Sequence, residues 1–390
     1  MANKILQAKR QTPNAKRQTT NEKRETKNEK RKTTNEKRKT KNEKKMTFGI
    51  LGSGSWGTAI AKILTDNNNK IWWWNRSEDA ITQFKIRSQN PQYLTAARFD
   101  VSKLHLTTIV EDVIKNSDVI IIAIPSAYTS QVLLSLHKNI FDGKKIVSAV
   151  KGIMPEGNEL LNDFLFKNFN VKIENYFALL GPCHAEEVAA EKLSYLTFTG
   201  VDQEVTAKIA NHFKTDYLNT VTNKDIYGVQ YAAVLKNIYA VAAGIVHGLD
   251  YGDNFLSVLI ANSADEMAGF LRKAGIINAE VGYMEHGKNK SASKHANYAA
   301  SVYLGDLLVT CYSLFSRNRT FGNMIGKGYS VKNAQLEMSM VAEGYNAAKC
   351  MHIINEKVKA EMPIAHTVYE ILWLGKDART GFKNIEEGLI

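Results

Sequence analysis

The feature that most constrains this chain is an apolar run at 48–64, FGILGSGSWGTAIAKIL, which is interrupted by three closely spaced glycines. Gly52, Gly54 and Gly57 fit the pattern G-x-G-x-x-G. In that pattern the first glycine permits a tight turn, the second lets the backbone approach a pyrophosphate, and the third lets a helix pack on a strand. The apolar spacing after them predicts a helix, whose free N–H groups would face the phosphates. The stretch therefore predicts a strand, turn and helix that bind a dinucleotide, with a purely structural turn as the alternative.

The first 45 residues form a basic segment that we do not expect to join any core. Residues 8–45 repeat with a period of seven and carry no aromatic or branched aliphatic side chain, so we expect them to be disordered. Residues 1–45 hold 17 Lys and Arg against 5 Asp and Glu, a net charge of +12 that equals the +12 of the whole chain. The remainder is neutral, so the basic pI says nothing about its ligand. We favour a dispensable extension, with Met46 as the true start, over an arm that attracts nucleic acid or anionic lipid.

The 345 residues from Met46 onward are enough for two domains, each with its own core. No run of about twenty apolar residues predicts a transmembrane helix, and no apolar segment at the N-terminus predicts a secretory signal. Cys183, Cys311 and Cys350 are widely spaced and match no metal-binding pattern. We therefore expect no bound metal and a location in the reducing cytoplasm.

Short apolar segments alternate with helical patterns after Met46, as a doubly wound parallel sheet requires. Seven segments are predicted to be strands: 47–51, 70–74, 119–124, 145–149, 176–180, 195–199 and 217–220. Long helical patterns then replace the strands, at 228–248, 256–274, 299–316 and 334–354. The predicted fold class is α/β. A Rossmann-type doubly wound sheet domain at 46–223 precedes an all-helical domain at 224–390 that carries the substrate and catalytic residues, with a cleft between the two.

The end of the second predicted strand indicates which dinucleotide is bound. Rossmann domains that prefer NAD usually place Asp or Glu there to bind the ribose 2′-hydroxyl. This chain has Asn75, Arg76 and Ser77 instead, and Arg76 can pair with a 2′-phosphate that a carboxylate would repel. NADP(H) is therefore favoured, although Glu78 and Asp79 follow closely and leave NAD(H) open.

Several short motifs occur together in an order that is typical of one family. They are Gly52-Ser-Gly-Ser-Trp-Gly-Thr58, the Pro125 turn, Lys151-Gly152, Gly181-Pro182, Leu235-Lys236-Asn237, Gly305-Asp306-Leu307, and Ser316-Arg317-Asn318-Arg319 with Phe321-Gly322. From Met46 to about Glu387 the chain resembles the NAD(P)-dependent glycerol-3-phosphate dehydrogenases. The resemblance implies hydride transfer between dihydroxyacetone phosphate and sn-glycerol 3-phosphate for glycerophospholipid synthesis. It also implies a cytoplasmic homodimer without specific nucleic-acid binding or membrane insertion.

Two lysines are candidates for the chemistry. Lys236 lies in an otherwise apolar helical pattern, where burial would lower its pKa and let it exchange protons near neutrality. A lysine that reaches out to solvent is the alternative. Lys151 follows a predicted strand, at the edge of the sheet where open α/β folds bind ligands. By resemblance, Lys236 is the catalytic acid or base, Lys151 orients the substrate oxygen and also contacts the cofactor, and Asp306 positions Lys236 or binds a substrate hydroxyl.

The remaining site residues follow from the resemblance. Arg317 offers a planar fork of donors that suits a phosphate, and a basic surface loop is the alternative. The resemblance implies that the substrate is held by Lys151, Gly181, Ser316, Arg317 and Asn318. It implies that the cofactor is held by Gly52, Gly54, Ser55, Trp56, Gly57, Arg76, Lys151, Ala185, Arg317, Val341 and Glu343.

Two segments depart from the family pattern. After Gly181-Pro182 the family commonly has a small hydroxyl residue and a phenylalanine, whereas this chain has Cys183 and His184. A reactive thiolate at Cys183 is disfavoured, because the chemistry needs no covalent step. The stretch at 262–300 also differs from the family, and its role is not readable from the sequence.

Three other functions were weighed. A related two-domain dehydrogenase acting on a 3-hydroxy acid or sugar acid is disfavoured, because such enzymes carry Lys and Asn one helical turn apart, whereas Lys236 and Asn237 are adjacent. A catalytically dead NADPH-binding protein is disfavoured by the intact Lys151, Lys236 and Arg317. A nucleic-acid-binding module is disfavoured by the neutral body.

Overall fold

The described residues contain eight β-strands that pair into one sheet. The computed structural model describes residues 46–276, 299–338, 340 and 342–389, with side chains at 299–301 excluded. The strands are β1 Phe48–Leu51, β2 Ile71–Trp74, β3 Leu104–Thr107, β4 Val119–Ile122, β5 Lys145–Ser148, β6 Tyr176–Leu180, β7 Ser194–Gly200 and β8 Leu218–Asn223. Their spatial order is β3-β2-β1-β4-β5-β6-β7-β8.

The order of the strands reverses at β1, since the chain continues to β2 and β3 on one side of β1 and to β4 and β5 on the other. This reversal creates a crevice that can hold a ligand. β1 pairs in parallel with β2 on one side and with β4 on the other. The crevice outside the carboxyl ends of such strands is where open α/β sheets bind ligands. β1 and β4 are buried along their whole length, as strands covered on both faces should be.

All seven predicted strands are confirmed, and an eighth, β3, was missed. β3 reads LHLT and lies at the sheet edge, with Leu104 buried and His105 exposed, so it lacks the continuous apolar run of the central strands. The sheet is also not wholly parallel, because β7 runs antiparallel to β6. The predicted Rossmann-type sheet followed by a helical region is confirmed.

Helices cover the sheet and form the C-terminal region. The α-helices are α1 Ser55–Asp66, α2 Glu78–Arg87, α3 Val110–Lys115, α4 Ser126–Leu133, α5 Leu161–Phe169, α6 Ala185–Ala189, α7 Gln203–Asn211, α8 Ile226–Gly248, α9 Asp253–Lys273, α10 Asp306–Tyr312, α11 Arg317–Gly326, α12 Val331–Glu337, α13 Glu343–Val358, α14 Pro363–Trp373 and α15 Ala378–Lys383. Short 3₁₀ turns lie at Val101–Lys103, Ile173–Asn175 and Glu386–Gly388, and a π-helical turn at Ala299–Gly305 leads into α10.

The central helix of the C-terminal region is α8. It starts at Ile226, two residues before the predicted 228–248, because the Asp225 carboxylate accepts from the Gly228 N–H at 2.9 Å and caps it. In the described part of the chain α8 is the one helix long and apolar enough to cross a membrane by length and composition. Its apolar window is 94% buried within the protein, as in a core helix.

Two of the long predicted helices are interrupted. The helix predicted at 299–316 ends at Tyr312, because Ser316 starts the next helix by capping the Arg319 N–H at 3.3 Å. The helix predicted at 334–354 is two helices, α12 and α13, separated by the segment around Met338. Met338 has an extended backbone that breaks the helical pattern.

Glycines bring α11 into backbone contact with α8. A Cβ added at Gly244 would lie 2.1 Å from the Arg319 carbonyl oxygen, and one at Gly322 would lie 2.1 Å from the Val241 carbonyl oxygen. Any side chain at these positions would therefore push the helices apart. The close crossing holds the N-terminus of α11 beside the middle of α8, where Lys236 lies.

Candidate active site

The glycine-rich turn forms the floor of the dinucleotide end of the site. Gly52 has φ +119°, and a Cβ there would meet the Ala123 carbonyl oxygen at 2.6 Å. A Cβ at Gly57 would lie 2.1 Å from the Gly52 carbonyl oxygen. Both glycines are buried, so they shape the turn and the strand–helix packing and do not line the cleft. Gly54 differs, because the space beside its Cα is open and it lines the cleft.

Two adjoining cavities extend from this turn. The inner cavity lies at the carboxyl ends of the strands and reaches Lys151, Lys236 and Asp306. The outer cavity reaches Arg76. The two cavities share Gly54, Ser55, Pro125 and Arg317.

The shared wall suits an extended dinucleotide. The N-terminus of α1 offers backbone N–H groups beside Gly54, where a side chain would fill the space that a pyrophosphate needs. Ser55 and Trp56 also line the inner cavity, and the indole N–H of Trp56 is buried with no partner among the described residues. An unpaired buried donor in a cleft wall is a contact that a ligand can complete.

A buried ion pair lies at the inner end of the cleft. The Lys236 ammonium contacts the Asp306 carboxylate, and their side chains are only 3% and 2% exposed. Burial, which outweighs the attraction of Asp306 and is reinforced by Lys151, lowers the pKa of Lys236 to about 8. The expectation that Lys236 is buried and titrates near neutrality is in keeping with this geometry, and the lysine does not reach out to solvent. Asp306 keeps its second oxygen, Oδ2, buried and without a partner in the described structure.

Lys151 lines the same cavity as Lys236 and Asp306. Its ammonium donates to the Cys183 carbonyl oxygen at 3.1 Å and lies 4.6 Å from the ring centre of Trp56. The Lys151 backbone carbonyl accepts from the Asn237 side-chain amide at 2.5 Å. The residue next to Lys236 thus ties α8 to the loop that carries Lys151.

The side-chain amides of Asn318 and Asn237 connect the residues predicted to bind the phosphate to the loop that carries Lys151. The Asn318 side-chain N–H donates to Asn237 Oδ1 at 2.8 Å, and Asn318 Oδ1 accepts from the Gly344 N–H at 2.9 Å. Asn318 therefore has both ends of its amide engaged by the protein. Ser316 and Arg317 also line the inner cavity, and Arg317 is exposed.

Arg319 differs from its neighbours, although the motif suggested a further donor there. Its guanidinium donates to the Tyr312 carbonyl oxygen at 3.0 Å and is directed at the protein. Because Ser316 caps the helix that starts at Arg317, residues 317 and 319 point in different directions from the helix axis. Sequence spacing alone did not indicate this difference.

Glu343, at the start of α13, braces the loop after β4. Its carboxylate accepts from the Ser126 N–H at 3.0 Å and from the Ser126 hydroxyl at 2.5 Å. Glu343 and Ala185 line the inner cavity.

Gly181 is buried with φ +131° at the end of β6, and so it shapes the turn before Cys183. Val341 lies outside the described residues.

Arg76 lines the outer cavity and is exposed. Ser77, which follows it, caps α2 by accepting from the Ala80 N–H at 3.3 Å. The Glu78 carboxylate accepts from the Thr108 hydroxyl at 2.9 Å. The arginine is therefore the charged side chain that this segment presents to the outer cavity.

Cys183 and His184, left without a role by the sequence, both line the inner cavity. Burial raises the pKa of the Cys183 thiol to about 12, so it is not a thiolate. A protonated thiol at Cys183 is in keeping with the prediction that Cys183 is not a reactive thiolate. The only sequence signal for His184 was its departure from the family pattern.

Met340 is a further residue that the sequence did not indicate. Its sulfur lies 3.7 Å from the Ser55 hydroxyl, over the start of α1, and it lines the outer cavity. Thr310 likewise lines the inner cavity one helical turn after Asp306.

A Rossmann sheet, a dinucleotide-sized groove and a buried lysine at its inner end define the class of nicotinamide-dinucleotide-dependent oxidoreductases. Models of the N-terminal and C-terminal parts of the NAD-dependent glycerol-3-phosphate dehydrogenases match residues 47–206 and 225–383. The chain belongs to the NAD-dependent glycerol-3-phosphate dehydrogenase family.

Individual relatives agree with this assignment. A glycerol-3-phosphate dehydrogenase [NAD(P)+] of Bacillus anthracis is 30% identical over 85% of this chain and 92% of its own. The crystal structure of glycerol-3-phosphate dehydrogenase from Coxiella burnetii superimposes with a TM-score of 0.76 at 26% identity, covering 88% of this chain and 99% of that one. The yeast glycerol-3-phosphate dehydrogenase shares the fold, with a TM-score of 0.70 at 22% identity over 88% of this chain and all of its own. A 3-hydroxy-acid or sugar-acid dehydrogenase is not favoured.

Proposed function

We propose that the protein catalyses the NAD(P)-dependent interconversion of dihydroxyacetone phosphate and sn-glycerol 3-phosphate. The observation that carries the proposal is the buried Lys236–Asp306 pair at the inner end of a dinucleotide groove, in a chain of this family. A nicotinamide supplies or accepts the hydride, and the protein supplies the proton and the orientation.

Lys236 exchanges the proton on the substrate oxygen. In the reductive direction its ammonium donates to the oxygen of the former ketone as that atom gains negative charge, and in the oxidative direction the free amine takes the hydroxyl proton. Asp306 holds the ammonium in place, and its contact opposes the fall in the pKa of Lys236 that burial causes. Lys151, across the cleft, orients the same oxygen and stabilises its charge.

The direct test is NADPH or NADH oxidation by the purified full-length chain with dihydroxyacetone phosphate. We expect turnover that requires both the ketone and a reduced cofactor. A 3-oxo acid or a sugar acid serves as the competing substrate. Turnover of such an acid in place of dihydroxyacetone phosphate would overturn the proposal.

The substrate phosphate is held by Arg317, by the Ser316 hydroxyl and by the second N–H of the Asn318 amide, whose other N–H donates to Asn237. We predict that Arg317→Ala lowers kcat/KM for dihydroxyacetone phosphate roughly 100-fold, because it removes a charge-assisted fork worth about 3 kcal/mol. Unphosphorylated dihydroxyacetone should lose much less, since it has no phosphate for the fork to meet. Steady-state kinetics on both ketones would measure the difference.

Arg319→Ala is the matched control, because Arg319 lies two residues further on and donates to the Tyr312 carbonyl oxygen. It should lower the melting temperature. The ratio of kcat/KM for dihydroxyacetone phosphate to kcat/KM for dihydroxyacetone should stay near the wild-type value. Equal losses on both ketones in Arg317→Ala would mean that Arg317 does not bind the phosphate.

We further propose that NADP(H) is the preferred cofactor, with Arg76 as the partner of the 2′-phosphate. Arg76→Ala should raise the KM for NADPH far more than that for NADH, by about 1.5–3 kcal/mol before screening by salt. Arg87→Ala, at the other end of α2, is the control and should change neither KM. Equal effects of Arg76→Ala on both cofactors would assign Arg76 a structural role.

Three broader statements complete the proposal. We propose a cytoplasmic enzyme that supplies glycerol 3-phosphate for glycerophospholipid synthesis, without membrane insertion. We propose a division into a dinucleotide-binding domain at 46–223 and a substrate domain at 224–390. We propose a homodimer, which the exposed Leu308 (39%), Tyr312 (45%) and Leu314 (85%) favour as an apolar surface. Sedimentation equilibrium that gave a monomer would overturn the last of these.

A further inference from the structure

The imidazole of His184 lies in the inner cavity but has no part in the proton and phosphate chemistry proposed above. It lines the same cavity as Lys151, Lys236 and Asp306. Its Nε2 atom is buried and has no hydrogen-bond partner among the described residues. Buried polar atoms are almost always paired, so an unpaired one in a cleft wall indicates a partner that arrives with a ligand.

The surroundings of the ring determine which nitrogen carries the proton. Burial, followed by the charges of Lys151 and Lys236, lowers the pKa of His184 to about 4, so the ring is neutral at physiological pH. The backbone of Val309 acts to raise this pKa, as a carbonyl oxygen near a ring N–H does. Because Nε2 is the ring nitrogen without a partner, we assign the proton of the neutral ring to Nδ1. With this assignment Nε2 is a hydrogen-bond acceptor.

The substrate offers one polar group that matches this acceptor. On the proposed function, the phosphate of dihydroxyacetone phosphate meets Arg317 and its neighbours, and the ketone oxygen meets Lys236 and Lys151. The primary hydroxyl remains, and it is the only donor that the substrate carries once its phosphate is ionised. Asp306 Oδ2 is another unpaired acceptor in this cavity, but the Asp306 carboxylate already contacts Lys236, whereas His184 Nε2 has no such engagement. We infer that His184 Nε2 accepts a hydrogen bond from the substrate's primary hydroxyl, which makes His184 a specificity-determining residue. This inference rests on the proposed function.

The test compares two phosphorylated ketones that differ only at this hydroxyl. Hydroxyacetone phosphate has a methyl group where dihydroxyacetone phosphate has the hydroxymethyl group. We expect the wild-type enzyme to prefer dihydroxyacetone phosphate in kcat/KM, and His184→Phe to reduce that preference by about tenfold, the effect of one buried hydrogen bond. His184→Gln, which can place an amide oxygen near the position of Nε2, should keep most of the preference.

The control is Phe315→Leu, because the Phe315 ring packs against His184 at 6.3 Å between ring centres and lines the same cavity without a polar atom. It should change the rates with both ketones alike. The quantity compared is the ratio of kcat/KM for dihydroxyacetone phosphate to kcat/KM for hydroxyacetone phosphate. Three results would overturn the role of His184: an unchanged ratio in His184→Phe, a ratio in His184→Gln as low as in His184→Phe, or a fall of this ratio in Phe315→Leu equal to that in His184→Phe. If the wild-type enzyme reduced neither ketone, the proposed function would fall as well, so the two failures are distinguishable.

Discussion

Replacing Lys236 by methionine is expected to reduce kcat by about 10²–10⁴, the usual contribution of a general acid or base. Methionine keeps an unbranched side chain of similar length in the apolar surroundings of α8. Because it also leaves the Asp306 carboxylate buried without its partner, the melting temperature of the variant must be measured beside its kcat. NADPH binding should stay within a few fold of wild type, because in the proposed arrangement the phosphates of the cofactor lie at the glycine-rich turn and Lys236 contacts the substrate oxygen. Stopped-flow turnover and fluorescence titration of NADPH would measure the two effects separately.

Lys62→Met is the matched control for this variant. Lys62 is also buried, at 6% exposure, but pairs with Asp66 at 2.7 Å and Glu191 at 2.9 Å on the cofactor helix α1. Its replacement should lower the melting temperature and leave kcat near the wild-type value. A Lys236→Met enzyme with near-normal kcat would exclude Lys236 as the proton donor.

The pH dependence follows from the pKa of Lys236 at about 8. Reduction of the ketone needs the ammonium form, so its rate should be highest below this pH and fall as the pH rises through about 8. Oxidation of glycerol 3-phosphate needs the free amine and should rise over the same interval. Both changes should be absent from the residual activity of Lys236→Met.

Replacing Asp306 by alanine is expected to lower the free energy of unfolding by up to about 3–5 kcal/mol, because Lys236 must then either stay charged without a partner or give up its proton. It should also move the fall in reduction rate to lower pH, since Asp306 is the main group that raises the pKa of Lys236. Chemical denaturation would give the first quantity and the pH profile of kcat the second.

The double variant Lys236→Met/Asp306→Leu should recover most of the lost stability but no activity, because both charges are then removed together. Glu204→Ala is the control for an exposed pair, since Glu204 contacts Lys208 at 2.9 Å with side chains 80% and 43% exposed. It should cost at most about 1 kcal/mol. A loss in Asp306→Ala no larger than in Glu204→Ala would mean that the pair is not buried as described.

Local sequence patterns were enough to predict the strands and the glycine-rich turn. The central strands are apolar on both faces, and steric exclusion at Gly52 and Gly57 acts over a few residues, so both can be read from short segments. The edge strand β3 was missed because only one of its four residues, Leu104, is buried. The break in the helix predicted at 334–354 was missed because residues 338–342, MSMVA, contain neither Gly nor Pro.

The residue types of the site were also accessible from the sequence, because a lysine within an apolar helical pattern is conspicuous. The opposite roles of Arg317 and Arg319, and the capping of α2 by Ser77, were not. These depend on where each helix begins, which a cap of one or two hydrogen bonds decides.

The sequence by itself determined the class of fold, the dinucleotide turn and the presence of a lysine in an apolar environment, because each depends on the order of neighbouring residues along the chain. Only the tertiary structure decided that Lys236 contacts Asp306, that Glu343 accepts hydrogen bonds from Ser126, and that His184 Nε2 is buried without a partner among the described residues. The first two contacts join residues 70 and 217 positions apart in sequence. They arise because the helices pack against the carboxyl ends of the strands, and no local pattern specifies that geometry.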